Sequence, residues 1–160
     1  MKLVIFVVLG SLLILAGLIY GLPYLTQEGS SGRPGKIEIS PLEYDFGTVS
    51  MGDSHVKYTY EISNVGQGDL KIDSIWTSCM CTTARLRVGD KESPEFGMHT
   101  NSMLWSQKIP PGEKGYLDVT FDQALHGEEG IGQIVRAIYI SNNDPQTPKT
   151  QVMLFGTVVK

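Results

Sequence analysis

Several features that reveal function in other proteins are missing from this chain of 160 residues. It has no cluster of basic residues, and its 13 basic residues are outnumbered by 17 acidic ones, so neither nucleic acid nor an anionic lipid surface is its natural target. No serine, aspartate or paired-carboxylate motif of an enzyme is present. No N-x-[ST] sequence marks a glycosylation site. We therefore expect no nucleic-acid partner and no enzymatic activity.

Charge is also absent from the run between Leu3 and Leu22. Twenty residues of helix rise about 30 Å, which matches the hydrocarbon core of a bilayer. The run is longer than the apolar core of a usual signal peptide, no A-x-A cleavage site follows it, and no nearby cysteine could carry a lipid. Lys2 on one side and Glu28 on the other favour an amino terminus inside the cell. We predict an uncleaved single-pass signal anchor over residues 1–25, embedded in the membrane through residues 3–25, with a cleaved secretion signal as the alternative.

The next segment, residues 26–35, is polar and rich in glycine and serine, which is typical of a flexible linker. The remainder of the chain, residues 36–160, would form a single domain. With the amino terminus inside the cell, this domain would lie outside the cytoplasm, in the periplasm or at the cell surface.

From residue 36 onward the sequence alternates between apolar and polar residues in short runs. Between Val56 and Ile62 the even-numbered residues are apolar or aromatic and the odd-numbered ones are polar, as in a half-buried strand. About seven such runs occur, with glycine, proline and asparagine between them. The pattern predicts an all-β, immunoglobulin-like antiparallel sandwich of about seven strands, preceded by one N-terminal transmembrane helix. Trp76 would lie in its core, and Arg136, which shares a face with isoleucines, would mark a bulge or a sheet edge.

An ordered series of short motifs runs through residues 40–159. In chain order the motifs are F-G-T-V at 46–49, N-V-G at 64–66, L-K-I at 70–72, S-C-M-C-T at 78–82, P-G-E at 111–113, F-D at 121–122, S-N-N-D-P at 141–145 and G-T-V at 156–158. The series resembles a bacterial family of domains of unknown function, similar to the immunoglobulin-like domains of the ASPM, SPD-2 and Hydin group and, more distantly, to major sperm protein. Met80 departs from the family pattern, which has a small residue there. The resemblance implies an exported sandwich of the bacterial envelope with no established catalytic activity.

Cys79 and Cys81 are the only cysteines of the chain, and one residue separates them. If this segment is extended, both side chains point to the same face, with Cα atoms roughly 6.6 Å apart. Such a pair of thiolates can hold one soft metal ion, or the two sulfurs can join in a disulfide. The pair is therefore the centre of any candidate site.

A long segment, residues 88–108, follows the cysteine strand and contains further soft ligands. Met98, His99 and Met103 offer two thioethers and an imidazole, which together with thiolates favour Cu(I) over harder ions. Trp105 could cover the ion through a cation–π contact. We therefore expect a Cu(I) site whose ligands are Cys79, Cys81, Met98, His99 and Met103. A zinc site made of Cys79, Cys81, His99 and His126 is the alternative metal interpretation.

Two further interpretations of the same residues remain open. In an exported domain Cys79 and Cys81 are commonly oxidised, and the chain would then be a structural or protein-interaction module of the cell envelope. Its methionines would fill gaps under a loop, and His126 would be solvated. Thiol–disulfide exchange is a lesser alternative, because it requires a cation near the cysteines and the nearest one in sequence is Arg85.

Overall fold

The computed structural model describes residues 32–100 and 104–160. The predicted anchor, residues 26–31 of the predicted linker and Met103 lie outside the described residues. Within the described part, no helix has the length and the apolar character needed to cross a membrane. The described strands all lie within the predicted domain, residues 36–160.

Ten strands and one short 3-10 helix, Gly127–Gly130, make up the described part of the chain. More strands are present than the sequence predicts, because three of them contain only two to four residues, too few to show an alternating pattern. The strands are β1 Ile37–Ser40, β2 Glu43–Ser50, β3 Val56–Asn64, β4 Leu70–Thr77, β5 Thr82–Val88, β6 Lys91–Glu92, β7 Gln107–Ile109, β8 Lys114–Phe121, β9 Gly132–Asn142 and β10 Lys149–Val159.

The strands form two five-stranded sheets. The first sheet has the order β1-β3-β8-β5-β6, and the second has the order β2-β10-β9-β4-β7. The prediction of an all-β fold is confirmed, but the prediction of a purely antiparallel sandwich is wrong in one place. Strand β2 lies parallel to β10, the last strand of the chain. Sequence alternation specifies which face of a strand is buried and not which strand lies beside it, so the pattern could not reveal this pairing.

Apolar side chains from both sheets meet in the core between them. The predicted inward face of β3 is confirmed, because Tyr60 and Ile62 are fully buried while Lys57 and Thr59 are exposed. Removal of this apolar surface from water is the main stabilising contribution to such a fold. The core divides into a large cluster around Tyr60 and a smaller cluster that contains Phe121, Ile134 and Cys81.

Trp76 is not part of this core, and the prediction that it would be is wrong. The pairing of β4 with β9 shifts register between Ile72 and Ser74. One extra residue at such a bulge reverses the faces of the residues that follow it. Ile75 is consequently buried, and Trp76 points outward, where its ring stacks on Tyr139 with 5.1 Å between the ring centroids.

Buried polar side chains organise one end of the sandwich. Asn64, which is 1% exposed, uses its amide to donate hydrogen bonds to the carbonyl oxygens of Gly68 and Ile109. Asp144 is 2% exposed, and its carboxylate accepts hydrogen bonds from the backbone N–H groups of Ile37 and Gln146. Burial by itself would raise the pKa of Asp144, but these backbone donors outweigh it and hold the pKa below its ordinary value. Two of the sequence motifs, N-V-G and S-N-N-D-P, are thereby explained as structural.

Candidate functional site

The two cysteines lie in a turn that carries the chain from β4 in one sheet to β5 in the other. The hydroxyl of Thr77 donates hydrogen bonds to the carbonyl oxygens of Cys79 and Thr82, both at 2.9 Å. Ser78 fastens the turn to β9 by donating its N–H to the carbonyl oxygen of Ala137. The prediction that both cysteines lie in an extended strand is therefore wrong. Because the chain turns here, their Cα atoms are 5.3 Å apart, closer than an extended segment would place them.

In this structure Cys79 and Cys81 are joined in a disulfide. The two sulfurs differ in accessibility, because Cys81 is 2% exposed and belongs to the smaller core cluster, whereas Cys79 is only partly buried. Met80, between them, is 58% exposed. The pair therefore presents the sulfur of Cys79 to the surroundings and keeps that of Cys81 inside.

His126 contacts the more accessible of the two sulfurs, that of Cys79. Its Nε2 atom lies 3.2 Å from Sγ of Cys79, and the ligand atoms of Cys79, Cys81 and His126 all lie within 4.8 Å of one another. Within the described ranges of the chain, this is the group of histidine, cysteine and acidic side chains whose geometry could hold a metal ion. It contains one of the two histidines of the predicted zinc set and omits His99.

The segment that carries His126 is fixed by a buried glutamine. Gln123 is 2% exposed, and its amide nitrogen donates to the carbonyl oxygens of Ser50, Asp53 and Ser54, at 3.3, 2.8 and 3.0 Å. The turn after His126 begins with Gly127, whose φ of 56° lies in the left-handed region that favours glycine. The loop between β8 and β9 thus holds the imidazole over the cysteine turn.

Arg136 contacts the other sulfur, from strand β9. Its Nε atom donates a hydrogen bond to Sγ of Cys81 at 3.1 Å, and its guanidinium lies 5.8 Å from the ring centroid of Phe121. Burial lowers the pKa of Arg136 from its ordinary value, but an arginine stays protonated at neutral pH. The predicted bulge is wrong, because β9 pairs with β10 in unbroken register here. The pairing of β9 with β4 ends at Ile138, so Arg136 lies beyond it, at a local edge of the sheet as predicted. Arg136 interrupts the isoleucine face because it points at the disulfide.

The other predicted metal ligands occupy a different segment. Met98 and His99 are exposed in the turn that follows Phe96. Trp105 packs on Phe96, with 4.7 Å between the ring centroids, and lies against the larger core cluster, whereas the cysteines lie against the smaller one. Met103 lies outside the described residues. The structure therefore brings together Cys79 and Cys81 of the predicted set and adds His126; ligation by Met98, His99 and Met103 stays a prediction.

A concave surface lies on the sheet of β3, β8 and β5. This cavity has a volume of about 630 Å³, and its lining includes the charged side chains of Arg85, Glu92 and Asp118. The carboxylate of Asp118 binds Arg87, and Arg85 forms an ion pair with Glu92 at 3.3 Å. The Arg87 guanidinium lowers the pKa of Asp118 below its usual value. Because Asp118, Arg85 and Glu92 are already paired, this surface offers no set of chemical groups comparable to the cysteine cluster.

The two facing sheets, and the turn that joins them, define an immunoglobulin-like β-sandwich with a cysteine cluster at one end. Residues 35–157 match the family described as HYDIN/CFA65/VesB-like, Ig-like domain, and the chain belongs to this family. The resemblance to the Hydin group is thereby confirmed.

Solved structures share the fold. A protein of unknown function from Porphyromonas gingivalis W83 is 25% identical, with a TM-score of 0.61; the match covers 84% of this chain and 50% of that protein, so this chain spans half of its length. A PapD-like domain of human CEP192 is 16% identical over 79% of this chain and 87% of that one, with a TM-score of 0.49. No curated protein sequence matches the chain.

Proposed function

We propose that this chain is a membrane-anchored, extracytoplasmic immunoglobulin-like module that binds Cu(I) through Cys79, Cys81 and His126 when its disulfide is reduced. The observation that supports the proposal is the position of the three ligand atoms, which all lie within 4.8 Å of one another. Two sulfurs that each lie about 2.3 Å from a metal ion are at most about 4.6 Å apart, so the sulfurs need to separate only within this range once their bond is broken. The role is binding and not catalytic turnover.

The charges around the cluster favour a monovalent ion. Two thiolates would bring two negative charges, and Arg136, which contacts the sulfur of Cys81, brings one positive charge. A Cu(I) ion makes the total zero, whereas Zn(II) leaves one positive charge in a partly buried place, where an uncompensated charge is costly. Thiolate and imidazole ligands also suit Cu(I). Copper is therefore the preferred ion and zinc the alternative.

The first test is a titration of the full chain in mild detergent. The disulfide is first reduced with a phosphine, and Cu(I) is then added anaerobically in competition with a chelator of known affinity. We expect one Cu(I) per chain with a dissociation constant below about 1 μM. His126→Ala should weaken binding about tenfold or more, because one of the three ligands is lost. Cys79→Ser should abolish it, since a hydroxyl is a poor ligand for a soft ion.

His99→Ala is the matched control, because it removes an exposed imidazole from the segment of the originally predicted ligands. Unchanged affinity in His99→Ala, together with the loss in His126→Ala, supports the cluster. The opposite result would show that the loop with Met98 and His99 completes the site instead. Absence of Cu(I) uptake by the reduced chain would refute the metal proposal.

A protein-interaction role in the cell envelope is the second candidate. The observation that favours it is the outward aromatic pair, Trp76 stacked on Tyr139. The strand that carries Tyr139 also carries Val135, whose side chain is exposed. Aromatic side chains are enriched where protein surfaces bind one another. If the reduced chain takes up no metal and a photo-crosslinking residue at Val135 captures an envelope protein that the same residue at Lys57 does not, this role is preferred.

A further inference from the structure

Arg136 lies beside a sulfur that carries no charge while Cys79 and Cys81 are joined in the disulfide. Its guanidinium is half-buried, and among the described residues no carboxylate forms an ion pair with it. Within the described part of the chain, its side chain donates hydrogen bonds to the sulfur of Cys81 and to the carbonyl oxygen of Val135. A partly buried positive charge next to a neutral disulfide is poorly compensated, which is unfavourable in a place of low polarity.

Reduction of the disulfide would supply the missing partner. If Cys81 becomes a thiolate, its sulfur already accepts a hydrogen bond from Nε of Arg136 at 3.1 Å, and the contact becomes a charge-assisted one. No movement of the guanidinium is needed, because the stack over Phe121 and the bond to Val135 hold it in place. The geometry therefore stabilises the negative charge that develops on Cys81 as the bond between the sulfurs breaks.

Accessibility determines which sulfur is attacked. A thiolate must approach the sulfur it attacks from the side opposite the bond that breaks, and the departing sulfur takes the electron pair. Cys81 is 2% exposed, and Cys79 is the more accessible of the two. Attack on Cys79 thus makes Cys81 the leaving group, and Cys81 is the sulfur that Arg136 contacts.

We propose that Cys79–Cys81 is an exchange-active disulfide, attacked by a thiol at Cys79, in which Arg136 stabilises Cys81 as the leaving group. With a dithiol as reductant, its first sulfur bonds to Cys79, the bond between Cys79 and Cys81 breaks, and Cys81 takes the electron pair. The second sulfur of the dithiol then attacks the first, releases Cys79 as a thiolate and closes the disulfide of the oxidised reductant. Two electrons pass from the dithiol to the cysteine pair. The reaction uses the sulfurs of the proposed metal site but requires no metal.

Thiol–disulfide exchange requires a cation near the cysteines, and the structure provides one. This cation is Arg136 and not Arg85, which is nearer in sequence. Arg85 lies on β5 and forms ion pairs with Glu92 and Glu95. Arg136 is 55 residues away from Cys81 in sequence. Only the packing of β9 against the cysteine turn brings its side chain to the sulfur.

The test starts with the unmodified full chain in detergent, with its disulfide intact and with a chelator present to exclude metal. Glutathione, a monothiol, is added; the reaction is stopped with acid, free thiols are alkylated, and the peptide with both cysteines is analysed by mass spectrometry. We expect the mixed disulfide on Cys79 and the alkyl group on Cys81. Adducts mainly on Cys81 would overturn the proposal, and this measurement needs no variant.

The second measurement compares rates of reduction by dithiothreitol, a dithiol. Arg136→Gln should slow reduction about tenfold, because the leaving sulfur loses a charge-assisted hydrogen bond. Arg136→Lys should recover part of the rate, since it keeps the positive charge. Arg85→Gln, which makes the same change of charge elsewhere on the domain, should stay within about twofold of the unmodified chain.

To distinguish stabilisation of the leaving sulfur from a merely structural role of Arg136, the reduction rates are measured again in denaturant. The difference between the unmodified chain and Arg136→Gln should disappear there, because it depends on the folded contact with Cys81. Equal rates in the folded proteins would overturn the proposal. Because the copper titration begins with protein already reduced by a phosphine and the exchange assay contains a chelator, failure of one proposal can be told from failure of the other.

Discussion

Asp144 shows how a single buried carboxylate can organise the end of a sandwich. It joins the start of β1 to the turn after β9 by accepting backbone hydrogen bonds from Ile37 and Gln146. Its own N–H donates to the side-chain oxygen of Asn142 at 2.8 Å, so the turn is closed by side chains on both sides. A buried carboxylate is stable only with such partners, and the lowered pKa of Asp144 reflects them.

We predict that Asp144→Asn lowers the free energy of unfolding by about 2 kcal/mol at neutral pH. The carboxylate accepts bonds with both oxygens, whereas asparagine has one acceptor and directs an NH₂ group at a backbone N–H. Urea unfolding of both proteins measures the difference. Asp73→Asn, which breaks an exposed ion pair with Lys71, is the control and should change stability by less than about 1 kcal/mol.

The pH dependence of this difference follows from the sign of the shift. The folded pKa of Asp144 is lower than the unfolded one, so the ionised carboxylate stabilises the fold above the unfolded pKa of about 3.9. The stabilisation is lost as pH falls through the folded pKa. The unmodified protein and Asp144→Asn should therefore converge in stability in acid. A difference that stays constant with pH would contradict this role of the carboxylate.

At the residue scale, the type of the chemically interesting side chains could be predicted, but their partners could not. From the sequence, Cys79 and Cys81 were predicted to form the site, and Arg136 was identified as a charged residue on an otherwise apolar strand face. His126 belonged to the zinc alternative, although it was otherwise expected to be solvated. Its position 3.2 Å from the sulfur of Cys79 depends on the loop held by Gln123, for which no sequence pattern exists.

At the scale of the strands, shifts in the pairing register account for most of the differences between the strand faces predicted from the sequence and those in the structure. The bulge in β4 turns Trp76 outward, and the pairing of β10 with β2 shifts register between Phe155 and Thr157. Gly156 stands at this second shift. A Cβ atom there would lie 2.6 Å from the carbonyl oxygen of Gly47 and would also overlap the ring of Phe46. Residues of the motifs F-G-T-V and G-T-V therefore pack closely against one another.

Gly156→Ala should destabilise the domain by about 1–3 kcal/mol, because the added methyl group must displace backbone as well as an aromatic ring. Thermal unfolding followed by circular dichroism measures the change. Gly52→Ala is the matched control, since a Cβ there meets only the hydroxyl oxygen of Ser50 at 3.8 Å. We expect it to change stability by less than about 0.5 kcal/mol. Equal effects of the two substitutions would argue against the close contact of β2 and β10.

At the scale of the whole molecule, the proposed function assigns membrane attachment to the predicted anchor and metal binding to the immunoglobulin-like domain. The cysteine turn and Asn64 lie at opposite ends of the sandwich. Thr82, which follows the turn, pairs with Phe121, and Phe121 also pairs with Val56 at the start of β3. Asn64 is the last residue of that strand. Chain elements distant in sequence meet at the cysteine end: the turn at 78–81, the loop with His126, and Arg136 of β9.

The predicted anchor leads to an experiment on the full chain and a fragment. We expect the full chain to sediment with membranes and to resist extraction by salt and alkali, because about 20 uncharged residues can span the bilayer. The fragment Gly32–Lys160, a compact unit with its own core, should fold and remain in the soluble fraction. If the protein expressed from the full-length sequence appears in the soluble fraction with a reduced mass, the cleaved signal is favoured instead. A fragment that fails to fold would contradict the prediction that the domain folds independently.

The sequence by itself determined the all-β character of the domain, the inward face of β3 and the family. These properties follow from local alternation, from turn-forming residues and from motifs, all of which can be read along the chain. The tertiary structure alone decided that β2 lies parallel to β10, that Trp76 faces outward, and that His126 and Arg136 contact different sulfurs. The physical reason is that pairing and bulges arise between segments distant in sequence, and a shift of one residue reverses which side chains meet.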